Sequence, residues 1–328
     1  MRILSADDVH QAVPMPAAID AVESAFVRLS AGQADVPLRL HVETPAPPGV
    51  SFVMPARLDG APTPALGVKV VSVFPGNRDQ GEPAIYALVT LFDPETGRPL
   101  AVLDGTYLTA LRTGAASGVA TRHMARADAK VLALFGAGAQ ALPQALAVCA
   151  VRAIERIWIV NRTPARAYEL VERLRAAGLG QDVRVAADPT QALMEADVIC
   201  TATASPTPLF ADGDVRPGTH INSVGSYRPS MAEIPPATVA RAHVVVDHRR
   251  AAWAEAGDLI QARDAGWITE DHVIGELGEV AAGTAPGRPA PEAITFFKSV
   301  GNAVQDVAVA ALALARAREL GIGVEIEW

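Results

Sequence analysis

The stretch from Val131 to Ala141 constrains the fold of this chain more than any other, because an apolar run there ends in a Gly-x-Gly turn. The run Val131–Phe135 has the length of a buried strand, and an Ala-rich helical pattern opens after Gly138. Such a turn brings backbone N–H groups and a helix N-terminus against a pyrophosphate. Gln140 and Ala141 replace the third glycine of the full fingerprint, so the match is partial. A glycine turn in an unrelated α/β protein is the alternative, and the dinucleotide interpretation is favoured.

A second strand-like run, Arg156–Val160, follows at the spacing of a βαβ unit and ends in Asn161-Arg162-Thr163. An acid after this strand would hold a ribose 2′-hydroxyl, whereas an arginine suits a 2′-phosphate. Asn161 and Thr163 can add hydrogen bonds to that phosphate. The pattern therefore predicts that NADP(H) is the preferred cofactor and that NAD(H) use is possible. An ordinary surface arginine after a strand is the other interpretation.

Strand-like and helical segments alternate along the rest of the chain, which predicts a doubly wound parallel sheet. The predicted strands are 183–185, 198–202, 220–224, 244–247 and 294–297. Upstream, residues 36 to 105 contain strand-like runs separated by Pro, Gly and Asp clusters, typical of a largely antiparallel region. A helical pattern from about residue 107 leads into the glycine turn. A last helix, 302–320, follows the final strand and is placed to return to the first domain.

The amino-acid composition limits the kinds of molecule that the chain is expected to bind. The 328 residues carry a net charge of -8, which excludes nucleic acid or an anionic membrane surface as the expected partner. No apolar stretch approaches the roughly 20 residues of a membrane helix. The first residues have no signal-peptide pattern, so a cytoplasmic location is expected. Cys149 and Cys200 are predicted to be buried free thiols.

Only three of the 28 basic residues are lysines, and one of them, Lys69, interrupts an apolar strand run. Burying a charge in such a run costs free energy unless the charge is paired with an opposite one or takes part in function. Arg112 follows in a helical segment that is rich in small residues. A guanidinium and an ammonium group together suit a carboxylate substrate. Two ordinary surface salt bridges would also account for them, and these residues alone leave the choice open.

Seven motifs in order give the chain a resemblance to the ornithine cyclodeaminase/mu-crystallin family over nearly its whole length. The motifs are Met54-Pro55-Ala56, Gly67-Val68-Lys69, Phe74-Pro75-Gly76-Asn77, Leu108-Thr109-Ala110-Leu111-Arg112-Thr113, Phe135-Gly136-Ala137-Gly138-Ala139-Gln140, His220-Ile221-Asn222-Ser223-Val224-Gly225 and Phe297-Lys298-Ser299-Val300-Gly301. The resemblance implies an α/β fold with two domains. A Rossmann domain spans residues 119–302, and residues 1–118, completed by 303–328, form an α+β domain for substrate binding and homodimer formation.

The resemblance also implies a set of site residues. Lys69 and Arg112 match the family's substrate-binding pair, and Arg39 looks like a third contact for the carboxylate. The implied cofactor contacts are Thr113, Gly136, Ala137, Gly138, Ala139, Gln140, Asn161, Arg162, Thr163, Thr201, Ala202, Thr203, Val224, Ser299, Val300 and Gly301. No metal ligand is implied.

Two departures from the cyclodeaminase pattern decide among the family's reactions. Ornithine cyclodeaminases carry a glutamate where this chain has Phe52 and a catalytic aspartate where it has Tyr227. Without these acids, a substrate ammonium group would be buried unpaired and internal cyclisation would lack its acid/base. Members that resemble this pattern reduce Δ1-pyrroline-2-carboxylate or Δ1-piperideine-2-carboxylate to proline or pipecolate. Alanine dehydrogenase, a cyclodeaminase and a non-enzymatic NADPH-binding protein remain as alternatives.

The resulting hypothesis assigns a role to each residue. Arg39, Lys69 and Arg112 hold the substrate carboxylate, and a hydride passes from the nicotinamide to the imine carbon. Lys69 is the expected proton donor, with a pKa lowered by the neighbouring arginines. Tyr227 is expected to be a pocket wall rather than an acid. His220 and Asp306 are expected to be structural, each satisfied by a hydrogen-bond or ion-pair partner.

Overall fold

The computed structural model describes residues 1–60 and 63–327, and the chain divides into two compact units. The N-terminal unit comprises Met1–Arg112 and the C-terminal segment from Asn302 onward. The Rossmann unit comprises Thr113–Gly301 and is therefore inserted into the sequence of the other. The first division falls inside a single helix, between Arg112 and Thr113.

Strands and helices are numbered in chain order. The strands are β1 (Arg2–Leu4), β2 (Ala34–Asp35), β3 (Leu40–Pro45), β4 (Pro48–Leu58), β5 (Ala65–Val73), β6 (Ile85–Phe92), β7 (Pro99–Asp104), β8 (Val131–Phe135), β9 (Arg156–Val160), β10 (Asp182–Val185), β11 (Val198–Thr201), β12 (His220–Ser223), β13 (His243–Val246), β14 (Val273–Glu276), β15 (Thr295–Lys298) and β16 (Val324–Glu325). The helices are α1 (Ala6–Ala12), α2 (Met15–Ser30), α3 (Gly105–Met124), α4 (Ala141–Val151), α5 (Pro164–Ala176), α6 (Pro189–Glu195), α7 (Pro236–Arg241), α8 (Arg249–Glu255), α9 (Gly257–Asp264), α10 (Leu277–Ala281) and α11 (Ala303–Leu320).

The sheet of the N-terminal unit has the strand order β16-β1-β7-β6-β5-β4-β2, with β3 also paired to β4. Its pairs are antiparallel except β1 with β7, which confirms the predicted antiparallel region. Every second residue of β4 from Val50 to Leu58 is buried, so one face of the sheet is covered. Helix α11 packs against β4, β5 and β6 and against α2, all of which belong to the N-terminal unit.

The sheet of the Rossmann unit is parallel throughout, with the order β10-β9-β8-β11-β12-β15-β13-β14. The order reverses at β8, which carries the glycine turn at its carboxyl end. The predicted doubly wound parallel sheet is thus confirmed. Strand β14 was not predicted, because its sequence Val-Ile-Gly-Glu offers only two apolar residues.

Within the described residues, no helix is both long and apolar enough to cross a membrane.

Candidate active site

Lys69 and Arg112 converge on one carboxylate of the protein, that of Asp306. Lys69 lies on β5 and is 1% exposed, while Arg112 lies on α3 and is 5% exposed. The Lys69 Nζ is 2.8 Å from the Oδ2 of Asp306, and the Arg112 Nε donates to Oδ1 at 2.9 Å. Asp306 is itself fully buried. The two cations are therefore held together inside the N-terminal unit and do not form surface salt bridges.

Asp306 lies on the first turn of helix α11, and hydrogen bonds from capping side chains fix where that helix begins. Asn302 is the N-cap residue, and its side chain accepts a hydrogen bond from Val304 N at 2.9 Å. Gln305 closes the capping box on Asn302 N, and its Oε1 also accepts from Arg112 Nη1 at 2.6 Å. The amino end of a helix favours an anion, which suits a carboxylate side chain placed between two cations. Asp306 is thus paired, as expected.

The pKa of Lys69 is lowered from 10.5 to about 7. Burial is the largest cause, because it penalises the charged ammonium, and Arg112 adds to it; Asp306 opposes both, and Arg39 lowers the pKa a little further. The sequence-based expectation named only the arginines, so it missed the main cause. An ammonium group with a pKa near 7 exchanges its proton readily at neutral pH.

Phe52 lies on the same face of the sheet as Lys69. In the register of β4 and β5, Met54 is opposite Lys69 and Phe52 is opposite Val71, so all four side chains point to one side. Phe52 is 4% exposed. The guanidinium of Arg39 lies 5.0 Å from the centre of the Phe52 ring, where a cation–π contact is favourable. The N-terminal unit therefore brings Arg39, Phe52, Lys69 and Arg112 into one neighbourhood.

The glycine turn of the Rossmann unit has the geometry of an anion-binding loop. Gly136 has a φ of +103°, and a Cβ at this position would lie 2.7 Å from the carbonyl oxygen of Ala202, so only glycine fits. At Gly138 no atom lies within 4 Å of the place a Cβ would take. Gln140, which precedes α4, makes no side-chain capping hydrogen bond. The amino end of α4 and the space above Gly138 fit a pyrophosphate, and Ala137 and Ala139 complete the turn.

Residues Asn161 to Thr163 follow β9, next to this turn. The Asn161 Oδ1 accepts from Ala137 N at 3.1 Å, and its Nδ2 donates to the carbonyl of Thr163 at 2.8 Å. Asn161 therefore joins the two loops of the first βαβ unit. Arg162 is exposed to solvent and is available to an anion at this edge of the sheet.

Two buried carboxylates, both missed at the sequence level, hold the remaining predicted cofactor loops. The carboxylate of Asp247 accepts from Ser299 Oγ at 2.8 Å, Val300 N at 2.9 Å and Gly301 N at 2.8 Å. Glu233 accepts from the segments Thr201–Thr203, which includes Ala202, and Ser223–Gly225, which includes Val224. A lone acid in the apolar stretch Met231-Ala232-Glu233-Ile234 is the same signal that identified Lys69.

Three further residues that the sequence singled out lie in the Rossmann unit. Thr113 is buried on α3, and its carbonyl accepts from Gln144 Nε2 at 3.3 Å. Tyr227 is half-buried in the Rossmann unit, with the Arg228 guanidinium 5.7 Å from its ring centre. His220 has partners on both ring nitrogens, Thr295 at 2.9 Å and Asn222 at 3.2 Å, and burial lowers its pKa to about 3. His220 is therefore a neutral, structural histidine, as expected.

Among the residues that the structure describes, the other groups that could carry chemistry are metal ligands and cysteines. No group of three His, Cys, Asp or Glu side chains there is arranged to hold a metal ion. Both cysteines are free thiols, and burial raises the pKa of each to about 12. Such thiols remain protonated and are poor nucleophiles.

A parallel sheet whose order reverses at a glycine turn, together with a separate unit containing a buried cation pair, defines a Rossmann-type oxidoreductase that uses a nicotinamide dinucleotide. Residues 1–320 match the model of the ornithine cyclodeaminase/mu-crystallin family, and the chain belongs to this family.

Three of the relatives are similar over 99% or more of their length. A Δ1-pyrroline-2-carboxylate reductase of Bacillus cereus is 40% identical over 329 residues, with 100% of each chain covered. The structure of the Thermococcus litoralis Δ1-pyrroline-2-carboxylate reductase in complex with NADH and L-proline has a TM-score of 0.95 and 40% identity, covering 99% of this chain and 100% of that chain. An archaeal alanine dehydrogenase dimer with bound NAD has a TM-score of 0.92 and 35% identity, covering 100% and 99%.

Proposed function

We propose that this chain is an NAD(P)H-dependent reductase of a cyclic ketimine carboxylate, which converts Δ1-pyrroline-2-carboxylate to L-proline or Δ1-piperideine-2-carboxylate to L-pipecolate. The observation that carries the proposal is the buried pair Lys69 and Arg112 on Asp306, with Phe52 on the same face of the sheet as Lys69. The 40% identity to the Bacillus cereus and Thermococcus litoralis pyrroline-2-carboxylate reductases supports the same reaction.

The charges of the N-terminal unit suit a monoanionic substrate. Arg112 and protonated Lys69 carry two positive charges and share the single carboxylate of Asp306, which leaves one positive charge for a substrate carboxylate. Two nitrogens of Arg112, Nε and Nη1, are taken by Asp306 and Gln305. These contacts fix the orientation of the guanidinium, so that Arg112 and Arg39 can hold a carboxylate with little loss of side-chain entropy. The apolar ring of a ketimine then packs on Phe52.

Lys69 supplies the proton in this proposal. A bound reduced nicotinamide supplies the hydride, which adds to the imine carbon. The ammonium of Lys69 gives one proton to the ring nitrogen, the C=N bond becomes a single bond, and the resulting amine of Lys69 regains its proton from solvent. Since the pKa of Lys69 is about 7, the donor is strong enough to protonate an imine and is still populated near neutral pH.

The residue at position 52 argues against cyclodeamination. Phe52 is buried and offers no charge to a substrate side-chain ammonium, which would lose its hydration without gaining a partner. Tyr227 likewise replaces the aspartate that the cyclodeaminase pattern carries. Reduction of a ring imine needs neither acid.

A substrate panel tests the proposed reaction. Oxidation of NADPH and of NADH is followed by the loss of absorbance of the reduced nicotinamide, with Δ1-pyrroline-2-carboxylate, with Δ1-piperideine-2-carboxylate and with pyruvate plus ammonium. We expect kcat/KM to be highest with one of the two ketimines. Preferred turnover of pyruvate plus ammonium would identify an alanine dehydrogenase, ammonia release from ornithine would identify a cyclodeaminase, and either result would refute the proposal.

We further propose that Arg162 makes NADPH the preferred cofactor. Arg162→Asp replaces a solvent-exposed cation after β9 with the acid that favours a ribose 2′-hydroxyl. Because a charged hydrogen bond contributes about 1.5–3 kcal/mol, the ratio of kcat/KM for NADPH over NADH should fall by about 10-fold to 100-fold. Arg173→Asp, which changes an exposed arginine further along α5, should leave the ratio unchanged. An Arg162→Asp ratio equal to wild type would show that this position does not read the 2′-phosphate.

We infer that two copies associate through the uncovered face of the N-terminal sheet. The cross-strand register aligns Leu40, Val53, Val70 and Leu88 in one apolar row across four strands, on the face opposite Lys69. Leu40 is 64% exposed and Leu88 is 44% exposed, which is unusual for a row of this kind. The dimeric archaeal alanine dehydrogenase supports a second copy as the occupant. A particle mass of twice 34.2 kDa by light scattering is expected, and a monomer would contradict the inference.

A further inference from the structure

A second buried lysine, Lys298, anchors a group of ionisable side chains in the Rossmann unit that we call the buried carboxylate network: Glu233, Asp258 and Lys298. Their exposed fractions are 0%, 1% and 0%. The Lys298 Nζ is 2.8 Å from the Oδ2 of Asp258. Burying three ionisable groups costs free energy, and in other proteins apolar side chains of similar volume often stabilise the fold at least as well. The network therefore calls for an explanation other than stability.

Glu233 joins the loops at the carboxyl ends of two neighbouring strands. It accepts from Thr203 N at 2.7 Å, Thr203 Oγ1 at 2.8 Å and Thr201 Oγ1 at 2.9 Å, all after or at the end of β11. It also accepts from Gly225 N at 2.8 Å and Ser223 Oγ at 3.1 Å, at the end of β12. One carboxylate thus accepts five hydrogen bonds from two loops and fixes their separation.

Asp258 and Lys298 hold Glu233 in place. The Oδ1 of Asp258 accepts from Glu233 N at 2.6 Å and Ile234 N at 3.0 Å, which clamps the backbone that carries Glu233. Lys298 also donates to Ser226 Oγ at 2.7 Å and Ser223 Oγ at 3.1 Å. The result is a continuous chain of hydrogen bonds from the end of β15 through Asp258 and Glu233 to the loops after β11 and β12.

The ionisation of the network is consistent with this role. Burial raises the pKa of Glu233, and Lys298 opposes that rise. Burial also acts to raise the pKa of Asp258, but Lys298 and the hydrogen bonds to its carboxylate outweigh it, so that pKa lies below its usual value. Lys298 therefore favours the carboxylate form of both acids.

Strand order identifies the half of the dinucleotide that these loops meet. A dinucleotide lies across the point where the strand order reverses, here β8, with one nucleotide on each side. The loop after β9, with Arg162, is on the adenosine side, because the residue there reads the ribose next to adenine. Strands β11 and β12 lie on the opposite side of β8 and so receive the nicotinamide nucleotide.

We propose that Glu233 is a positioning residue for the nicotinamide nucleotide, and that Asp258 and Lys298 hold it for that purpose. This inference rests on the proposed dinucleotide-dependent function. Glu233 sets the spacing of the loops Thr201–Thr203 and Ser223–Gly225 before the cofactor binds. Since these loops lie on the nicotinamide side only, a change at Glu233 should affect one half of the cofactor and spare the other.

Calorimetric titration with NADH and with ADP tests this assignment, because ADP lacks the nicotinamide nucleoside. Glu233→Gln keeps the side-chain shape but leaves one acceptor oxygen and introduces an NH₂ group that faces donors. We expect the dissociation constant for NADH to rise by about 10-fold or more, with less than about a 3-fold change for ADP. Ser223→Ala, a milder variant that removes one donor, should raise the NADH constant by about 3-fold to 5-fold and leave that for ADP unchanged.

The matched control is Asp212→Asn, since Asp212 is a carboxylate of the same unit that bonds Thr238 and Arg241 away from these loops. It should change neither constant. Equal weakening of NADH and ADP in both Glu233→Gln and Ser223→Ala, or no change in either variant, would overturn the positioning role while leaving the proposed function intact. Binding of neither NADH nor NADPH by the wild-type protein would overturn both.

Discussion

Replacing Lys69 with Met is expected to lower kcat/KM for ketimine reduction by about 10²-fold to 10⁴-fold, the range lost when a general acid is removed. Methionine retains the volume of the lysine stem, so packing between β5 and α11 should survive. The variant lacks both the proton donor and one cation beside the substrate carboxylate. Steady-state kinetics with Δ1-pyrroline-2-carboxylate and NADPH measures the loss.

The pH dependence of kcat/KM distinguishes Lys69 as a proton donor from Lys69 as a positive charge that only binds the substrate carboxylate. Because the pKa of Lys69 is about 7, its protonated fraction declines as the pH rises through that value. The wild-type kcat/KM for reduction should therefore fall above about pH 7, and the residual activity of Lys69→Met should lack this component. Lys130→Met, at a lysine that is 57% exposed beside Glu155, should behave as wild type. A Lys69→Met enzyme that retains a third of wild-type kcat/KM would rule out Lys69 as the donor.

Replacing Asp306 with Asn should lower the free energy of unfolding by about 3–5 kcal/mol, because it leaves two buried cations without their anion. Lys69 can relieve part of the cost by losing its proton, so its pKa should fall further. Arg112 cannot deprotonate and must keep an uncompensated charge. Urea unfolding followed by circular dichroism measures the change.

Asp128→Asn is the matched control for this stability measurement. Asp128 also pairs with an arginine, Arg126, but its side chain is 77% exposed, and exposed pairs contribute about 0–1 kcal/mol. A loss of less than about 1 kcal/mol for Asp306→Asn, equal to that of the control, would mean that the cation pair does not depend on Asp306.

Much of the fold could be predicted from the sequence, because its strands and helices have strong apolar periodicity. The alternating pattern of β4 and the short apolar runs β8, β9 and β11 are local signals. Strands β1, β2 and β16 span only two or three residues, too few for a period to appear. They exist because neighbouring strands supply their hydrogen bonds, which is information held elsewhere in the chain.

In the candidate site as well, residues with a local sequence signal could be predicted, whereas contacts between distant segments could not. Lys69 could be found because a lone charge in an apolar strand has few explanations, and the glycine turn is a local motif. That Lys69 and Arg112 share Asp306 could not be found, because Asp306 comes from a helix beyond the entire Rossmann unit. Glu233 interrupts an apolar stretch as Lys69 does, but the loops that it joins could not be identified, because its partners are backbone N–H groups and small hydroxyls, which carry no sequence signal of their own.

The insertion of the Rossmann unit into the N-terminal unit has a consequence for synthesis on the ribosome. Strands β3 to β7 emerge early, but α11 is translated only after all of Thr113–Gly301. Until then the sheet lacks the packing of α11 on β4, β5 and β6, and the carboxylate that pairs with Lys69 and Arg112 is absent. The carboxylate that joins the two cations is added last, so a chain that stops short of Asp306 keeps Lys69 and Arg112 but lacks their common partner.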